Sequence, residues 1–94
     1  MKLIVLSAVL AASLAATGVA RASEALAKSS GCLSCHAVEK KKVGPSFKET
    51  AAKYKGKADA QATLVAALGA GKTHPEVKAK GEDLTAIVKW VLAQ

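Results

Sequence analysis

Cys32, Cys35 and His36 close a C-x-x-C-H pentapeptide, Cys32-Leu33-Ser34-Cys35-His36. Two thiols separated by two residues on a helical turn reach the two vinyl groups along one edge of a haem and form thioethers. The adjoining imidazole is then held under the iron as an axial ligand. Two other chemistries share part of the pattern. A C-x-x-C redox disulfide belongs to a βαβ context, and the strand signal of this chain is weak. Zinc needs further thiol or imidazole ligands, yet the chain has two cysteines in all, and its only other histidine is His74. The residue types therefore point to one haem c, attached through Cys32 and Cys35 with His36 as proximal ligand.

The elements that must position this motif begin after a leader. Met1-Lys2 is a short positive end, Leu3 to Ala16 is an apolar, helix-favouring run, and Ala20-Arg21-Ala22 fits the small-x-small cleavage rule. Residues 1–22 read as a secretory signal peptide cut before Ser23, since the apolar run is shorter than the roughly 20 residues a spanning helix requires. Export suits the cofactor, because this attachment takes place outside the cytoplasm, and two cysteines committed to thioethers leave none for a disulfide. The expected location is the bacterial periplasm, with no membrane anchor after cleavage.

Residues 23–94 then form one domain. At 72 residues a side-chain core alone seldom supplies enough stability, and the aromatic residues are Phe47, Tyr54 and Trp90 alone. A covalently held haem would supply the missing apolar volume, so the apoprotein is expected to be largely unfolded. Loss of Lys2 and Arg21 lowers the formal charge from +7 to +5, leaving a moderately basic surface.

Glycine and proline divide this domain into four short helical stretches. Ser23 is expected to cap the first, which runs towards Gly31 and the haem motif. Val43-Gly44-Pro45 follows the basic loop Lys40-Lys41-Lys42, with Pro45 fixing a close approach of backbone to the proximal face. A short helix is predicted over Ser46 to Lys53. A third, capped by Asp59, carries Leu64, Val65 and Leu68 and ends at Gly69 or Gly71. In the last, Leu84, Ile87, Val88 and Val91 fall at i, i+3, i+4 and i+7, with Glu82 and Asp83 near its N-terminus. Trp90 is expected to anchor this helix against the first one near Gly31, where the missing side chain would allow close crossing.

This order of helix, C-x-x-C-H, Val43-Gly44-Pro45, short helix ending at Tyr54, third helix, ligand loop and the terminal Lys89-Trp90-Val91-Leu92 resembles the small bacterial class I cytochromes c. The resemblance spans essentially the whole of residues 23–94. It implies an all-α, four-helix fold around one covalent haem and a role as a diffusible electron carrier. It also carries over Cys32 and Cys35 as thioether residues and His36 as proximal ligand.

One departure matters. Family members usually place a methionine, often followed by proline, in the loop between the third and fourth helices as the second axial ligand. Here that loop reads Gly71-Lys72-Thr73-His74-Pro75-Glu76-Val77, and the only methionine is Met1. His74 is the leading substitute, because neutral imidazole is a good iron ligand, the family's loop approaches from the side opposite His36, and Pro75 would stiffen it. Three alternatives stay open: an exposed loop histidine, ligation by Lys72, Lys78 or Lys80 after loss of a proton, or an iron that is five-coordinate or water-bound.

With His36 and His74 both bound, the chain would be a one-electron carrier of lowered potential, imidazole being a stronger donor than thioether. With an open or labile sixth position it would instead bind or sense a small ligand such as nitric oxide, carbon monoxide or oxygen. An enzyme is disfavoured, since a weak peroxidase needs a distal acid-base group over an open iron and only His74 is available. Lys40, Lys41 and Lys42 would steer docking to an acidic periplasmic redox protein, with the chain a monomer or weak dimer. Nucleic-acid binding does not fit, because no aromatic platform is interleaved with the charge.

Overall fold

The computed structural model describes residues 21–94, and the leader assigned to residues 1–22 lies, apart from Arg21 and Ala22, outside the described residues. The described chain is helical throughout its regular structure, with no strand. Helix α1 covers residues 21–29. A single 3₁₀ turn spans Cys32–Ser34, followed by α2 (Phe47–Tyr54), α3 (Ala60–Ala70) and α4 (Gly81–Leu92). Among the described residues no helix is long and apolar enough to cross a membrane.

Helix α4 is the hub, packed against both α2 and α3. Its apolar stripe behaves as its spacing predicts: Leu84, Ile87, Val88 and Val91 are all buried. Acidic Glu82 and Asp83 in its first turn and Lys89 in its last complement the helix dipole. The rest of the core is small, adding Ala27 from α1, Phe47 from α2 and Ala79 from the loop before α4.

Helix α2 starts one residue later than expected because Ser46 is its cap. The Ser46 hydroxyl accepts from the Glu49 backbone N–H at 3.1 Å, a bond worth about 1 kcal/mol. Helix α3 has Ala60 as its one buried residue, and that residue lies outside the main core cluster. Its Leu64, Val65 and Leu68 are half-buried at the core's margin.

Three local expectations are corrected. Ser23 does not cap α1, because Arg21 and Ala22 are already helical and Ser23 lies buried within the helix. Asp59 occupies the cap position of α3 but its carboxylate makes no capping hydrogen bond. Gly31 permits no close helix crossing, since a Cβ there would meet nothing within 4 Å. Glycine is needed instead for its φ of 84°, which turns the chain from α1 into the Cys32–Ser34 turn. Trp90 packs on the core that includes Ala27 of α1, and it also meets Phe47 of α2 edge-on with centroids 5.5 Å apart.

Candidate haem site

The C-x-x-C-H segment folds as a tight turn closed by its own backbone. Ser34 N–H donates to Gly31 O at 3.2 Å, and Cys35 and His36 N–H both donate to Cys32 O, at 3.3 and 3.1 Å. The Lys42 ammonium donates to Leu33 O at 3.0 Å and braces the turn from outside. Cys32 is half-buried and Cys35 exposed. Burial pushes the Cys32 thiol above its ordinary range, partly offset by a backbone hydrogen bond.

The next segment is laid back along this turn. Gly44 N–H donates to Cys35 O at 2.8 Å, Phe47 N–H to Ala37 O at 3.0 Å and Lys48 N–H to Val38 O at 3.0 Å. This pairing puts the Gly44 backbone against the His36 ring. A Cβ on Gly44 would sit 2.7 Å from Nδ1 and 2.9 Å from Nε2, and nearer still to Cε1. No side chain fits there, which explains the glycine of Val43-Gly44-Pro45.

His36 Nδ1 lies 2.7 Å from the Pro45 carbonyl oxygen. A carbonyl can only accept, so Nδ1 carries the proton and Nε2 keeps the lone pair that binds metal. Pro45 thus serves through its main-chain oxygen. Phe47 stacks on His36 with centroids 5.2 Å apart and planes 24° from parallel, and Trp90 braces Phe47 in turn. Phe47 was not among the residues expected at the site. Its signal in the sequence is position, as the lone aromatic two residues beyond Pro45 and the first residue of a capped helix.

His74 comes from the loop between α3 and α4, more than thirty residues away in sequence, and arrives opposite His36. The two imidazole centroids are 6.0 Å apart and the rings are 4° from parallel. His74 Nδ1 lies 2.7 Å from Pro75 O, so by the same logic its proton is on Nδ1 and Nε2 is the lone-pair nitrogen. Among the described residues no hydrogen bond uses Nε2 of either ring. Should both rings turn Nε2 inward, a centroid separation of 6.0 Å would leave room for one iron between them.

Two cavities of about 340 Å³ each flank this imidazole pair, and both are bordered by His36, Pro45, Phe47, Leu68 and His74. One reaches Cys32, Cys35 and Ile87, the other Thr50, Lys53, Tyr54 and Leu64. The half-buried leucines of α3 therefore face a slot rather than solvent. Two thiols at one end, an imidazole on each side and apolar walls suit a flat macrocycle attached along one edge.

The sequence profile of the family described as Cytochrome c matches residues 19–94. The chain belongs to the cytochrome c family. Among its relatives, cytochrome c-551 of Allochromatium vinosum is 43% identical over 75 residues, covering 71% of this chain and 80% of that protein. Cytochrome c-552 of Nitrosomonas europaea is 37% identical over 90 residues, covering 87% of each. Among solved structures, the class 1 cytochrome MtoD from Sideroxydans lithotrophicus ES-1 superposes with a TM-score of 0.64 at 35% identity, covering 78% of this chain and 92% of that one. This is a small class I monohaem cytochrome, an electron carrier rather than an enzyme, with one haem c bound covalently through Cys32 and Cys35.

Proposed function

We propose that this cytochrome is an exported, periplasmic one-electron carrier whose iron is held by His36 and His74, and whose potential lies below that of methionine-ligated relatives. The observation that carries the proposal is the pair of parallel rings 6.0 Å apart, each with Nδ1 engaged by a proline carbonyl.

When bound, the haem supplies a one-electron iron couple. The residues of the chain supply what makes that couple fast and directional. His36 and His74 are neutral donors that stay in place in either oxidation state, so transfer needs no ligand exchange. Each Nδ1–H donated to a carbonyl raises the basicity of the opposite nitrogen. Two such donors favour the oxidised iron relative to one imidazole and one thioether, which lowers the potential. Leu64, Leu68 and Ile87 border the slot with apolar surface, which restrains that fall by disfavouring added charge.

Docking is read from the surface beside the motif. Lys40, Lys41 and Val43 are exposed there, Val43 at 83%, and suit an acidic redox partner with a small apolar contact. The chain acts as a monomer or weak dimer. Export rests on the leader pattern of residues 1–22.

The test is low-temperature EPR with optical spectra in both oxidation states, on the haem-loaded protein and its His74→Ala variant. Low-spin bis-imidazole signals lost in the variant are the expected result. High-spin signals indifferent to the substitution would remove His74 from the iron and put small-ligand binding or sensing in first place.

A further inference from the structure

The two ligand histidines are held by unequal means, and the difference singles out Pro75. On the His36 side, the accepting carbonyl of Pro45 is nine residues away and is fixed by the backbone bonds that lay residues 44–48 on residues 35–38. On the His74 side, the acceptor belongs to the very next residue. The loop that carries it is closed at its neck, where a Cβ on Gly71 would stand 3.6 Å from the Glu76 Cα. Beyond the neck it is anchored by half-buried Val77 and buried Ala79. Between these fixed ends, exposed Pro75 shapes the apex.

We propose that Pro75 is a positioning residue for the distal ligand: its ring fixes the backbone so that its carbonyl accepts the His74 Nδ1 proton, holding the imidazole in the tautomer and orientation that offer Nε2 to iron. The inference rests on the His36/His74 reading above. The proline ring locks φ near −65° and confines the preceding residue to extended backbone. Two of the torsions that set the Pro75 oxygen relative to the His74 ring, His74 ψ and Pro75 φ, are thereby narrowed. An alanine at 75 keeps the oxygen but frees the torsions, so His74 would be turned away from iron for a larger fraction of the time. The rate at which an external ligand enters follows that open fraction.

The experiment uses the haem-loaded protein in its ferrous form, mixed rapidly with carbon monoxide, and compares wild type, Pro75→Ala, His74→Ala and the double variant. The expected result is about fivefold to tenfold faster binding in Pro75→Ala, from the lost restraint and the weakened hydrogen bond. Binding should be faster still in His74→Ala, and the double variant should match His74→Ala. In NMR of the ferric protein, the His74 Nδ1 proton should exchange with solvent faster in Pro75→Ala while the His36 Nδ1 proton does not. Unchanged binding in Pro75→Ala beside fast binding in His74→Ala would overturn the role of Pro75 and leave the ligand assignment standing. Equal acceleration by Pro75→Ala in the His74→Ala background would overturn it too, by showing a general loosening of the loop. A ferric EPR spectrum unaltered by His74→Ala would overturn the ligand assignment, and this inference with it.

Discussion

His36 and His74 face each other across 6.0 Å with their ring planes 4° apart, although one belongs to the turn after α1 and the other to the loop before α4. Each gives its Nδ1 proton to a proline carbonyl at 2.7 Å. The matching of the two sides is the basis of the chemistry proposed for this cytochrome, and it leads to measurable consequences.

Replacing His74 by methionine should raise the midpoint potential, because thioether donates less strongly to ferric iron than imidazole. A tenfold change in relative preference for the two oxidation states moves a one-electron couple by about 59 mV, and an upward shift of that order or more is expected by protein-film voltammetry. A fall in potential, or none, would show that imidazole at position 74 is not setting the couple.

The Gly44→Ala substitution places a methyl group within 2.9 Å of two His36 ring nitrogens. Either the ring or the Val43-Gly44-Pro45 backbone must move, and overpacking of this kind costs about 1–3 kcal/mol. Calorimetry on the haem-loaded variant should show a lowered Tm, and the optical spectrum should shift as the hydrogen bond to Pro45 O is disturbed. A Tm equal to wild type would mean that the proximal loop is softer than its geometry states.

Phe47 is 5% exposed and touches both the His36 ring and Trp90. Truncation to alanine removes the wedge between the proximal ligand and α4 and should cost about 3–5 kcal/mol, read by denaturant unfolding. Leucine at this position should recover part of the loss by refilling volume without the ring stack.

Among the described residues the main core cluster contains seven side chains, and four of them come from α4 alone. Such a core is too small to hold a domain of this size by itself. A Cys32→Ala/Cys35→Ala variant made without haem should therefore show circular dichroism of a largely unfolded chain, with little tertiary signal. Cooperative unfolding of the haem-free chain near the holoprotein Tm would refute this.

Electron transfer to an acidic partner should slow as ionic strength rises, and charge reversal at Lys40 and Lys41 should slow it at low salt by roughly tenfold. Lys42 is a useful contrast, because its ammonium is bonded to Leu33 O and its loss acts on the turn instead. Stopped-flow rates that ignore salt would exclude this docking surface.

Much of this protein is determined by sequence that acts locally. C-x-x-C-H names its cofactor because the two thiols and the imidazole need only one turn of backbone to reach their places. The α4 stripe names its buried face because helical periodicity places Leu84, Ile87, Val88 and Val91 together whatever lies opposite. Composition leaves the loop between α3 and α4 without a methionine, since the only one is Met1. Tertiary structure decided the rest, because each remaining fact depends on residues far apart in the chain coming into contact. The Gly44 backbone is pressed on imidazole where residues 44–48 fold back on residues 35–38, the wedge of Phe47 joins α2 to Trp90 of α4, and the loop between α3 and α4 brings His74 to His36. Spacing can nominate a second ligand, but which ring nitrogen is left for iron depends on which carbonyl lies 2.7 Å from the other.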